Sequence, residues 1–233
     1  MSRAHKGFTL IELLLAMSFL SVLLITIALT IIQIGNIYNR GITLKEVNTT
    51  GRSLATELQR NISVSSTFEI SGANTRFINS TFGGRLCTGQ YSYIWNYGST
   101  INRASITRAN ANMYDPLLST TRIRFIKVED SSSLYCTTPN GYIDKTNATE
   151  MLTVGDRDLA LHSFTISSDA QARDAKTRQA LYSISFILGT NDQTTLASNS
   201  TTCKPPSNNT GNLNYCAVNQ FDIVVRTSNT GVQ

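Results

Sequence analysis

From Phe8 to Ile34 the chain carries a single ionisable side chain, Glu12, and neither proline nor glycine. No other stretch narrows the fold as sharply. At a rise of about 1.5 Å per residue it predicts a helix of roughly 40 Å, enough to cross a hydrocarbon core of about 30 Å. A secretory signal has an apolar core of only about 7–15 residues with a small-residue cleavage site behind it. No such site follows Ile34. Arg3 and Lys6 precede the run, so the positive-inside bias keeps residues 1–7 in the cytoplasm and sends the rest of the chain outward.

Glu12 is out of place there. A buried acidic group costs about 2.5–3.5 kcal/mol at the centre of a membrane helix, less near its end, and calls for a partner. A cut between Gly7 and Phe8 would create an amino group at Phe8, one helical turn from the carboxylate. In a neighbouring copy shifted by about one turn, that amino group would lie beside Glu12. Pairing the two charges offsets most of the desolvation cost, but only in an assembly. The residues therefore predict a subunit stored in a membrane and satisfied on polymerising. A plain single-span anchor accounts for neither Gly7-Phe8 nor the position of Glu12.

The segment Lys6-Gly7-Phe8-Thr9-Leu10-Ile11-Glu12-Leu13 resembles the cleavage and methylation motif of the type IV pilin superfamily. The resemblance implies that a prepilin peptidase recognises Lys6 and Gly7, cuts after Gly7 and methylates the new amino group of Phe8. It implies that Glu12 neutralises that group during assembly. The implied partners are other pilin subunits in a helical filament, the assembly platform of a pilus machine and, before assembly, the inner membrane. The implied destination is a cell-surface filament, with no cofactor. Leu29 stands where many major pilins have a helix-breaking proline and Ser21 where a glycine is frequent, which favours a minor pilin. The same leader and helix also suit a pseudopilin of a type II secretion or DNA-uptake machine. A tip-located adhesin or DNA-binding subunit is a third reading.

Beyond the apolar run the sequence divides further. Residues 1–7 read as leader, 8–34 as membrane and filament-core helix, 35–62 as the outer half of the same helix, and 63–233 as one extracytoplasmic β-rich domain. Ile37, Gly41, Leu44, Val47, Gly51, Leu54, Leu58 and Ile62 recur at helical spacing and predict one packed face. Gly35, Gly41 and Gly51 mark bends or close-contact points, and a joint at Gly35 or Gly41 would split the helix in two. Strands are predicted at Gln90–Tyr97, Arg122–Val128, Leu159–Ser167, Leu181–Leu188 and Phe221–Thr227. Segments 96–112 and 190–214 read as polar loops, and 171–179 as a short helix or a polar excursion. The expected fold is α+β, pilin-like, with the outer half of the long helix packed on an antiparallel sheet.

Charged residues make up only 15% of the chain, and the net charge of +5 loses two units with Arg3 and Lys6. So mild an excess is weak support for an anionic partner. Cys87, Cys136, Cys203 and Cys216 all lie beyond the apolar run, on the oxidising side, and predict two disulfides. Three pairings are open. Cys203–Cys216 closes the shortest loop, worth about 3 kcal/mol in the chain-entropy picture, and leaves Cys87 to Cys136. A disulfide loop near the C-terminus is also similar to the one many pilins display.

Nothing in the sequence assembles a catalytic set, a phosphate loop or zinc-ligand spacing. His162 reads as a surface or edge-strand residue. Asp156 and Asp158 stand two apart, but a turn explains them as well as a cation does, so no metal is expected. Arg103, Arg108, Arg122, Arg124 and Lys127 lie near Tyr91, Tyr93, Trp95 and Tyr97, a mixture that grips single-stranded nucleic acid when both kinds face solvent. The commoner reading is a solvated sheet face over an aromatic core, which leaves nucleic acid weakly supported.

Overall fold

A computed structural model describes residues 9–72, 75–103, 107, 109, 111–115, 121–138, 141–152, 157–168, 179–199, 201–205 and 215–228. One helix, α1, runs without interruption from Leu10 to Val64, 55 residues or about 80 Å. Neither Gly35 nor Gly41 makes a joint. Each costs the helix only about 1 kcal/mol relative to alanine, too little to open it between long helical flanks.

The halves of α1 meet different surroundings. From Leu10 to Tyr38 the large apolar side chains stand 41–77% exposed. From Thr43 on, one face is buried: Thr43, Val47, Gly51, Leu54, Leu58 and Ile62, spaced by three and four. The packed face thus begins at Thr43 rather than at Ile37, Gly41 and Leu44, as the periodicity suggested. Ile37 remains exposed because the domain does not reach that far along the helix, and Leu44 because it lies off the face that Thr43 and Val47 bury. Val47, packed against Leu159 and Ala217, lies at the margin of its sheet.

Two antiparallel sheets complete the α+β fold. The first joins β1 (Phe77–Asn79), β2 (Gly83–Cys87), β3 (Tyr91–Asn96), β4 (Phe125–Glu129) and β5 (Ala148–Glu150) in sequence order. The second joins β6 (Leu159–Ser168), β7 (Leu181–Thr190) and β8 (Val218–Arg226), also in order. Helix α1 lies on the second sheet, chiefly against β8. The strands predicted near 159, 181 and 221 are present, whereas Arg122–Arg124 precede β4 rather than belonging to it. Three strands escaped the sequence reading. β1 and β5 are three residues long, and β2, Gly-Gly-Arg-Leu-Cys, is buried throughout and so shows no alternation.

The main core lies between α1 and both sheets. Leu54, Leu58 and Ile62 meet Trp95, Phe125, Phe164, Tyr182 and Phe186 there, with Trp95 and Phe164 ring centroids 4.4 Å apart. Ile94, Ile126 and Val128 form a second cluster with Tyr114, Ile123 and Ile143. The first sheet is therefore covered on both faces at its middle, not solvated on one as expected. A short helix, Leu134–Thr137, belongs to this cover and is tied to β2 by the Cys87–Cys136 disulfide. Arg85 fastens the same region, donating to Asn112 Oδ1 at 2.8 Å and to the Tyr135 carbonyl at 2.9 Å.

Candidate processing and assembly site

Lys6, Gly7 and Phe8 lie outside the described residues, and the site is built from Thr9 onward. Thr9 has extended backbone angles and caps α1. Its backbone N–H donates to Glu12 Oε2 at 2.9 Å, its hydroxyl donates to the same oxygen at 2.8 Å, and the Glu12 N–H returns a 3.4 Å contact to the hydroxyl. This is a capping box, which satisfies orphan donors of the first turn reciprocally. The partial positive charge of the helix N-terminus favours a carboxylate at that point as well. Both donations reach Oε2, and Oε1 accepts nothing among the described residues. Thr9 thus holds the Glu12 carboxylate in a fixed orientation at the start of the helix.

The sequence points to a partner for Glu12 in another copy, and the structure adds one three residues away in Thr9. The signal was present: Thr-x-x-Glu ahead of an apolar run is the pattern of a capping box. Behind this turn, α1 presents apolar surface on all sides, and it is long and apolar enough to cross a membrane by length and composition.

The globular domain holds the other candidates, and it separates them. His162 sits at the irregularity between Leu161 and Ser163 in β6, an edge strand of its sheet. Its Nε2 lies 3.0 Å from the Thr190 carbonyl, which can only accept, so Nε2 carries the proton. Burial pushes its pKa down, against a smaller upward pull from that hydrogen bond. Its Nδ1 is buried without a partner among the described residues. Asp158 pairs with Arg124 and accepts from Asn191 Nδ2 at 3.2 Å, whereas Asp156 lies outside the described residues.

Among the described residues the basic and aromatic side chains do not form one surface. Tyr93 and Trp95 are fully buried and Tyr97 nearly so, and none of the three presents an open ring to a base. Arg122 donates to the Ile101 carbonyl, and Arg103 lies over the Phe82 ring. Lys127 reaches Glu57 on α1 at 2.5 Å and sits 3.8 Å from the centre of the Tyr91 ring. That pair holds the Glu57 carboxyl below its usual pKa. Arg108 lies outside the described residues. The cysteines pair as Cys87–Cys136 and Cys203–Cys216, with Cα separations of 6.2 and 6.0 Å. The residues 206–214 inside the second loop lie outside those described.

Comparison with protein-family models, curated proteins and solved structures finds no match to this chain.

Proposed function

We propose that this chain is a structural subunit of a type IV pilus-like filament, a minor pilin, cut between Gly7 and Phe8 and assembled through α1. One observation carries the reading: a single rigid helix whose outer half is packed into a domain while its inner half leaves every large apolar side chain uncovered. Such a surface needs an apolar surrounding, either lipid or the corresponding helices of neighbouring copies. The membrane holds the precursor, and the bundle of helices replaces the lipid on assembly. Glu12 supports the same reading. Its carboxylate is anchored by Thr9 through one oxygen, and the amino group released at Phe8 of a neighbour takes the other.

Two substitutions test it in cells. Gly7→Val blocks cleavage, and mass spectrometry of the membrane fraction then finds a chain heavier by the leader. Normal maturation of that variant refutes processing at this bond. Glu12→Val is cleaved but enters filaments poorly, as read by immunoblot of sheared fibres, and wild-type incorporation refutes the pairing. Immunogold labelling with an antibody to the domain then separates a filament subunit, labelled outside the cell, from a pseudopilin retained in the envelope.

A further inference from the structure

The outer edges of the two sheets are not treated alike. β1 and β5, which border the first sheet, are three residues each. On the second sheet β6 is shielded: its register is broken between Leu161 and Ser163, Tyr97 bridges to Leu161, and Asn79 Nδ2 donates to the Phe164 carbonyl at 2.9 Å. Short strands, irregularities and side-chain covers are the usual means of keeping an edge from pairing with foreign chains. β8 is guarded less, by the Asn219 side chain over the Gln220 N–H and by the charges of Asp222 and Arg226. It is nine residues long, free of proline, and paired with β7 in unbroken register from Val218 to Arg226.

The ladder fixes which groups of β8 face outward. Thr190 N–H donates to the Ala217 carbonyl and Thr227 N–H to the Ala180 carbonyl, so odd-numbered residues of β8 bond inward to β7. Even-numbered residues turn N–H and C=O to the open side. Two positions along that side are already occupied, since Gln220 N–H is capped by Asn219 Oδ1 and Ser228 N–H donates to the Ser65 carbonyl. Between them Asp222, Val224 and Arg226 present their backbone groups with no strand beside them among the described residues.

A groove of about 400 Å³ runs along this stretch. Val224, Val225 and Arg226 form one side, and Thr56, Gln59, Arg60 and Ser63 on the flank of α1 form the other. Apart from the two valines its lining is polar, and its charged groups, Arg60 and Arg226, are both cationic. Neither guanidinium is in an ion pair among the described residues, although Arg60 is near enough to help hold the Glu57 carboxyl ionised and the exposed Asp222 carboxylate lies just outside the groove.

We infer that the open edge of β8 accepts an extended, acidic segment of another protein by strand addition, its backbone pairing with residues 222–226 and its carboxylates meeting Arg60 and Arg226. Main-chain hydrogen bonds supply the affinity in such a mode and the flanking groove supplies the selectivity. The inference rests on the domain alone and stands whether or not the filament reading holds.

The test uses the full chain in detergent micelles and a synthetic peptide of about nine residues alternating threonine and glutamate. The peptide is expected to slow amide exchange at Asp222, Val224 and Arg226. The double variant Arg60→Glu with Arg226→Glu weakens binding by about tenfold or more, and a threonine–lysine peptide fails to bind. Val224→Pro removes an outward N–H and leaves the ladder to β7 intact, so it weakens binding similarly in a chain that still folds. Should that variant misfold, a peptide methylated on alternate backbone nitrogens makes the same cut in the wild-type chain. Unchanged exchange at saturating peptide, or binding indifferent to both cuts, overturns the inference. Protection that grows with the concentration of the chain alone overturns it too, because the occupant is then a second copy.

Discussion

Residues 10–42 and 43–64 belong to one helix with one backbone geometry, yet they are stabilised by different things. The outer part owes its place to side chains: Leu54, Leu58 and Ile62 are at most 2% exposed and meet the aromatic core of both sheets. The inner part has no such contacts, and its apolar surface is what makes it dependent on lipid or on copies of itself. The glycines express the same difference. At Gly35 and Gly41 an added Cβ would meet nothing within 4 Å, whereas at Gly51 it would fall 2.1 Å from the Phe221 ring. A glycine in the inner part is a mild weakness of the helix. At Gly51 it is the space that lets α1 come down onto β8.

The largest expected break in this comparison comes from truncating matched leucines. Leu58→Ala in the full chain in micelles is expected to lower domain stability by about 2–5 kcal/mol in denaturant unfolding. Leu24→Ala, of the same chemistry on the exposed part, is expected to shift it by no more than about 0.5 kcal/mol. Equal losses would mean that the parts are not independent. Next comes Gly51→Val, which overpacks the Phe221 contact and is expected to cost about 1–3 kcal/mol, while Gly41→Ala is neutral or slightly stabilising.

Acid should separate the two parts. The pKa of His162 is lowered in the folded domain, so the unfolded chain binds the proton more readily. The neutral ring's contribution is therefore full above the unfolded pKa of about 6.5 and is lost as pH falls through the lower folded value. Unfolding midpoints are expected to drop on acidification below that point, less so in His162→Gln, while the helical signal of the inner part in micelles persists. A pH response unchanged by the substitution would remove His162 from the account.

The smallest effect is that of Glu57→Gln, which breaks the partly exposed pair with Lys127 and is expected to cost about 1 kcal/mol or less at neutral pH. Glu57 has a depressed folded pKa, so the pair's contribution holds above the unfolded carboxyl value and fades as pH falls through the folded one. A loss of several kcal/mol would make this pair, rather than the apolar face, the main attachment of α1.

Much of this architecture can be read along the chain because it depends on local pattern. The apolar run, the spacing of Val47, Gly51, Leu54, Leu58 and Ile62, the long strands of the second sheet and the pairing of Cys203 with Cys216 all concern residues near one another in sequence. Arg122–Arg124 misled because the alternation continues past the point where β4 has a partner. The surroundings of Lys127 were out of reach for a related reason: Glu57 lies seventy residues away on α1. At the candidate site, Glu12 stood out through the cost of its charge, while Thr9 went unnoticed because a hydroxyl before an apolar run carries no such penalty.

By itself the sequence determined one long apolar helix followed by a β-rich domain with two disulfides, because hydrophobic period and cysteine count act through neighbours in the chain. Only the tertiary structure decided where the helix stops being covered, that Gly51 admits Phe221, that the middle of the first sheet is buried on both faces and that β8 has no strand beside its outer edge among the described residues. Each of these depends on which surfaces the fold brings into contact, and burial is a property of that contact rather than of any residue alone.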